Sequence, residues 1–151
     1  MPDVIHAGYQ ALMVMAMEAG AEIGGWLGDR QMQSECRGAL RRLRRHVPDH
    51  LRNKQAAAML VLAGLADPGK VCRTVIARGG AEGFSTFYGY YMLEALAEGG
   101  LYDEALQIIS NYWGAMLDLG ATTFWEDLNY AHAAGAARID CLLYTSPSPR
   151  D

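Results

Sequence analysis

Ala56-Ala57-Ala58-Met59-Leu60-Val61-Leu62 carries no polar side chain at seven consecutive positions. Alanine, leucine and methionine are strong helix formers, and nothing in the stretch alternates with the period of two that a strand with one wet face requires. A helix that is apolar all round has to be surrounded by other protein. The same character recurs on both sides, in Ala11-Leu12-Met13-Val14-Met15 and in Tyr90-Tyr91-Met92-Leu93. Each of the three is followed by a segment that keeps a polar stripe. In the last of these the stripe runs Asp103, Gln107, Ser110, Asn111, Asp118, and in the first it includes Arg37, Arg41, Arg44 and Arg45.

The periodicity predicts helices over Val4–Ile23, Asp29–His46, Lys54–Ala66, Pro68–Arg78, Thr86–Glu98 and Leu101–Leu119. Gly24-Gly25, Gly79-Gly80 and Gly99-Gly100 are read as stop signals, and Pro68 suits a first helical turn. Asp103 and Glu104 put negative charge at the positive end of the last helix. Buried and amphipathic helices taking turns is the pattern of an inner ring wrapped by an outer ring. The fold class expected is therefore all-α: three helical hairpins, about half of a closed α/α toroid. A helical-repeat solenoid is the competing architecture, but no recurring sequence period is found across the three hairpins.

The chain has 151 residues, 51% of them hydrophobic, and a net charge of -4. That mild acidity argues against nucleic acid and against anionic membranes as partners. The longest apolar run, Ala56 to Ala66, is too short to span a bilayer. His6, His46, His50 and His132 have no metal-ligand spacing among themselves or with Cys36 and Cys72, so neither metal nor cofactor is expected. Cys36 and Cys72 fit buried thiols or a disulfide, which leaves the compartment open. The stretch Cys141-Leu142-Leu143-Tyr144-Thr145-Ser146-Pro147-Ser148-Pro149-Arg150-Asp151 back-translates to a common transposase sequencing adapter. The organisation expected is a partial barrel over 1–140 and an adapter-derived tail over 141–151.

In a row of up-and-down hairpins, the segment before each inner helix lies at the same end as the segment after its outer partner. His46–Asn53, Gly79–Ser85 and Gly120–Asp127 should then gather at one mouth, and functional residues concentrate on such loops. The second loop leads into Gly83-Phe84-Ser85-Thr86-Phe87-Tyr88-Gly89-Tyr90-Tyr91, whose aromatic side chains are either core or a platform for the C–H faces of sugar rings. The third brings Glu126 and Asp127 to the mouth beside Trp125. A carboxylate next to an indole in a partly closed cleft is what acid–base catalysis requires, and an exposed acidic pair at a helix start is the plainer reading.

These residues carry a resemblance. Gly83 to Leu93, Leu101-Tyr102-Asp103-Glu104-Ala105-Leu106, and Tyr112-Trp113-Gly114-Ala115-Met116-Leu117-Asp118-Leu119-Gly120-Ala121-Thr122-Thr123-Phe124-Trp125-Glu126-Asp127 closely resemble bacterial α-L-rhamnosidases. Those enzymes belong to the six-hairpin glycosidases, whose catalytic domain is an (α/α)6 barrel. Ala136-Ala137-Arg138-Ile139-Asp140 also looks like the segment that follows the motif in some members.

The resemblance implies hydrolysis of terminal α-L-rhamnosyl linkages with inversion, by one carboxyl that protonates the leaving oxygen and another that activates water, about 6.5–9.5 Å apart. By position in the motif Glu126 matches the general base, with Trp125, Phe87 and Asp127 expected to contact substrate. The partner implied is a rhamnose-containing glycoside or polysaccharide. The family's general acid lies in an upstream Asp…Arg-Asp-Glu…Gly-Trp…Gly-Asp stretch that has no counterpart here. Gly25-Trp26-Leu27-Gly28-Asp29 has a similar ending but lacks the Arg-Asp-Glu before it. A histidine that follows the base in the family would fall beyond Asp140. The fragment would then need the missing remainder of its own barrel. A non-catalytic helical scaffold, or a six-hairpin glycosidase for another sugar, is the alternative.

Overall fold

The computed structural model describes residues 3–123 and 125–128. The segments 136–140 and 141–151, with the expectations attached to them, lie outside the described residues. Within them the chain is all-α: α1 (Asp3–Leu27), α2 (Arg30–Leu43), α3 (Lys54–Leu62), α4 (Pro68–Val71) continuing as a π-helical turn (Cys72–Ile76), α5 (Thr86–Glu98) and α6 (Tyr102–Asp118).

Four of the helices begin with a polar side chain that satisfies a free N–H of the first turn. Asp29 accepts from Met32 N–H at 2.9 Å, Asn53 from Ala56 N–H at 2.9 Å, Asp67 from Lys70 N–H at 2.6 Å and Ser85 from Tyr88 N–H at 3.3 Å. The helix ends share one device. Gly28, Gly64, Gly100 and Gly120 have φ of 70°, 63°, 72° and 87°. At each, the following residue donates back to a carbonyl five positions earlier: Asp29 to Gly24 at 2.8 Å, and Leu65 to Leu60, Leu101 to Leu96 and Ala121 to Met116 at 2.9 Å. This is the glycine-terminated Schellman turn. Gly28, Gly64 and Gly100 recur every 36 residues, a regularity of the caps that the surrounding side chains do not repeat.

Two expectations about helix ends are corrected. Gly24-Gly25 does not stop the first helix, which runs on to Leu27 and turns at Gly28. Gly24 is needed for a close approach instead: a Cβ there would stand 2.9 Å from the backbone N of Gln33 on α2. The fourth helix is not regular to Arg78. Its ladder widens so that Ala77 N–H reaches Cys72 C=O at 2.9 Å.

α1 packs on α3 and α3 on α5, in a row, while α2 lies on α1, the α4 segment on α3 and α5, and α6 on α5. α3 is the pivot. Ala57, Ala58 and Val61 enter a core shared with Val75, Ile76, Met92, Leu96, Ile108 and Tyr112, while Ala56, Met59 and Leu60 enter a second core with Ala7, Ala11 and Val14 of α1. Its uniformly apolar sequence follows from having neighbours on both sides. α1 and α5 each leave a face uncovered: Ile5, Tyr9, Leu12, Trp26, Phe87 and Tyr90 are exposed, Trp26 at 80%. The expectation that all three inner helices are enclosed therefore holds for α3 alone in this chain. Cys36 and Cys72 are free thiols. No helix is long and apolar enough to cross a membrane among the described residues.

Candidate active site

The three loops expected at one mouth do meet. Lys54, the first residue of α3, donates from Nζ to Gly80 C=O at 2.8 Å and stands 5.2 Å from the Phe84 ring centroid, tying the loop before α3 to the loop before α5. Burial lowers the Lys54 pKa, and Glu82 opposes that shift. Thr86, the first residue of α5, joins the second loop to the third: its N–H donates to Glu126 C=O at 3.3 Å and its hydroxyl donates to Trp125 C=O. The start of α1 comes to the same end, where His6 stacks on His46 with centroids 5.6 Å apart and Gln10 donates to Leu43 C=O at 2.6 Å.

The first loop is wound tightly. Leu51 and Arg52 adopt φ of 49° and 58°, which side chains other than glycine rarely take. Asp49 accepts from Leu51 N–H at 2.8 Å, and His50 Nδ1 accepts from Arg52 N–H at 3.0 Å. His50 Nδ1 is thereby occupied as an acceptor, so its 3.9 Å approach to Asp49 is not a hydrogen bond.

Of the residues singled out in the sequence, Glu126 and Asp127 are exposed at this end of the helices and Trp125 is buried in the core at 7% exposure. Phe87 is 62% exposed and heads an aromatic cluster, 5.4 Å from Tyr88 and 5.9 Å from Tyr91 between ring centroids. A cavity of about 250 Å³ opens at the same end between the starts of α1, α3 and α5, with Tyr9, Leu12, Asn53, Gln55 and Tyr88 in its wall. Among the described residues no cluster of three or more His, Cys, Asp or Glu side chains fits a metal ion.

Sequence reasoning passed over the residue that organises the third loop. Tyr112 lies on the inward stripe of α6 with Ala105, Ile108 and Met116, and is fully buried. Its hydroxyl donates to Asp127 Oδ1 at 2.9 Å and accepts from Leu128 N–H at 3.0 Å. Leu128 N–H also reaches Asp127 Oδ1 at 2.9 Å, which closes a small ring of polar groups beneath the loop. Burial pushes the Tyr112 phenol well above its ordinary pKa; the Asp127 carboxylate pushes the same way and Leu128 N–H pulls it down. The signal available was chemical: a tyrosine on a core stripe needs a partner for its hydroxyl. Lys54 and Thr86 gave no pattern to read.

No family model matches the chain, and neither curated proteins nor solved structures supply a match.

Proposed function

We propose that this chain is part of a six-hairpin glycoside hydrolase that cleaves terminal α-L-rhamnosyl linkages with inversion, Glu126 acting as general base. The observation that carries the reading is the seating of the Gly120–Asp127 motif. It lies at the end where three inter-helix loops converge, with Glu126 exposed to an incoming ligand and its backbone fastened to α5. In this role Glu126 takes a proton from a water molecule as that water attacks the anomeric carbon, and a second carboxyl, from chain beyond this segment, protonates the departing oxygen. Phe87 and its aromatic neighbours offer faces for the sugar ring, and Asp127 and Trp125 shape the floor beside the base.

The open flanks support the other half of the proposal. Beyond the cavity that Ile5, Tyr9 and Leu12 line, α1 leaves Ile23, Trp26 and Leu27 exposed, and α6 presents Tyr102, Leu106, Ile109 and Leu117. Further hairpins of the same layer would cover both, giving a closed toroid of six. A helical scaffold without catalysis draws on a different observation, the 36-residue spacing of the cap glycines, which a repeat protein would also produce.

The test is turnover of an aryl α-L-rhamnoside by the full-length protein that contains this segment. Glu126→Gln keeps the shape and removes the basicity, so kcat is expected to fall by about 10²- to 10⁴-fold with little change in binding. Azide, a small nucleophile that needs no base, should restore part of the rate. Near-normal turnover in Glu126→Gln beside a crippled Asp127→Asn would move the base by one residue and defeat the reading.

A further inference from the structure

The Glu126 side chain makes no hydrogen bond and no ion pair with the described residues. Its position is set by the backbone on either side of it. On the N-terminal side Thr86 binds both Trp125 C=O and Glu126 C=O. On the C-terminal side the hydroxyl of Tyr112 binds Asp127 Oδ1 and Leu128 N–H. One anchor sits on the first residue of α5 and the other on the buried face of α6, so the loop is referenced to two helices that pack on each other.

We infer that Tyr112 is a positioning residue, holding the Glu126 carboxylate in place by fixing the two residues that follow it. The inference rests on the reading of Glu126 as general base. Packing alone does not account for a tyrosine here. A phenylalanine would fill the same place among Ile108, Met116, Trp125 and Leu128 without burying an oxygen. What the hydroxyl adds is a partner for Leu128 N–H, a backbone group in a buried setting, and a tether for an exposed carboxylate. Both act on the loop and neither acts on α6. Catalytic groups need placement to within about 0.5 Å, and a displacement of about 1 Å costs on the order of 10²-fold in rate. Tyr112 is fully buried, and it acts through Asp127 and Leu128.

The test is Tyr112→Phe in the full-length protein, beside Glu126→Gln. The expected result is a kcat lower by about 10- to 100-fold with KM within about twofold. In the same variant the Leu128 amide should exchange its hydrogen about fivefold faster while the α6 amides keep their rates. A purely structural role would instead loosen α6 and Leu128 together and lower stability without separating kcat from KM. That pattern, or an unchanged kcat while Glu126→Gln is crippled, overturns the inference. Should Tyr112→Phe not fold, Asp127→Ala removes the acceptor from an exposed position and leaves the core intact. There the fall in kcat should come with faster exchange of the Leu128 amide and unchanged α6 amides, and an unchanged kcat or an unchanged Leu128 amide overturns the inference. Normal turnover in Glu126→Gln would mean that the base itself is misassigned, a different failure that the paired variants separate.

Discussion

α3 and α1 are written in the same alphabet and live in different surroundings. Ala56 to Val61 of α3 are buried at every position, because the two faces of the helix feed two separate cores. In α1 only one face is covered, by Ala7, Ala11, Val14, Ala21 and Gly24, while Leu12 and Met13 beside them are 46% and 48% exposed. An apolar sequence does not by itself enclose a helix: α1 carries one and leaves a face of it exposed. The α1–α2 hairpin is also held by weaker means. Its ion pair between Arg44 and Glu18 is half in solvent, where such pairs contribute about 0–1 kcal/mol.

The sharpest break between the two regions should come from truncating one leucine in each. Leu60→Ala, in α3 at 1% exposure, is expected to cost about 2–5 kcal/mol in urea unfolding. Leu12→Ala in the same chain should stay within about 0.5 kcal/mol. Where further helices cover α1, as the proposed barrel requires, the cost of Leu12→Ala should rise to about 2 kcal/mol or more. Equal, small costs in both contexts would show that nothing packs there.

Cysteine chemistry gives a second contrast. Cys72 is fully buried, donates its thiol to Ala95 C=O at 3.0 Å, and burial lifts its pKa from 9.0 to about 11. Cys36, between α1 and α2, is only half-buried. Alkylation followed by peptide mapping should label Cys36 well ahead of Cys72, whose thiol is buried and whose thiolate is disfavoured by that burial. Comparable labelling would mean that the α3–α5 core opens as readily as the α1–α2 hairpin.

A third test uses pH. The folded state holds the Tyr112 proton more tightly than the unfolded chain, whose phenol has the ordinary value of 10.0. The Tyr112 contribution is therefore complete below pH 10 and is lost as pH climbs through the raised value. Wild type should lose stability above pH 10 more steeply than Tyr112→Phe, measured by denaturant midpoint. Parallel curves would place the phenol in water. The smallest effect belongs to the loop that joins the two regions: Arg52→Gly relieves a left-handed backbone and should stabilise by about 1 kcal/mol.

Much of the fold was legible because its signals are local. The onset of apolar periodicity and Pro68 place helix starts at Lys54, Pro68 and Thr86, and these are the observed ones. Gly24-Gly25 misled because a glycine pair reads alike whether it ends a helix or lets another backbone approach, and only the packed partner at Gln33 decides. The exposure of α1 was invisible for the same reason. At the candidate site, the motif around Glu126 stood out from its unusual composition. Its support did not. Tyr112 and Leu128 are 16 residues apart, and nothing local in either residue announces the other.

The connections of this chain are unequal at its two ends. Gly28 and Asp29 alone turn α1 into α2, and Asp29 serves at once as the residue after one helix and the cap of the next. The connections at the opposite end run from Arg44 to Asn53, from Ala77 to Ser85, and onward from Leu119. Length changes at the glycine end would twist one hairpin against its neighbour, whereas the long loops can lengthen or shorten without disturbing a helix. Evolution, and anyone redesigning ligand preference, therefore has more room in the long loops, except where Thr86 and Tyr112 hold the residues on either side of Glu126.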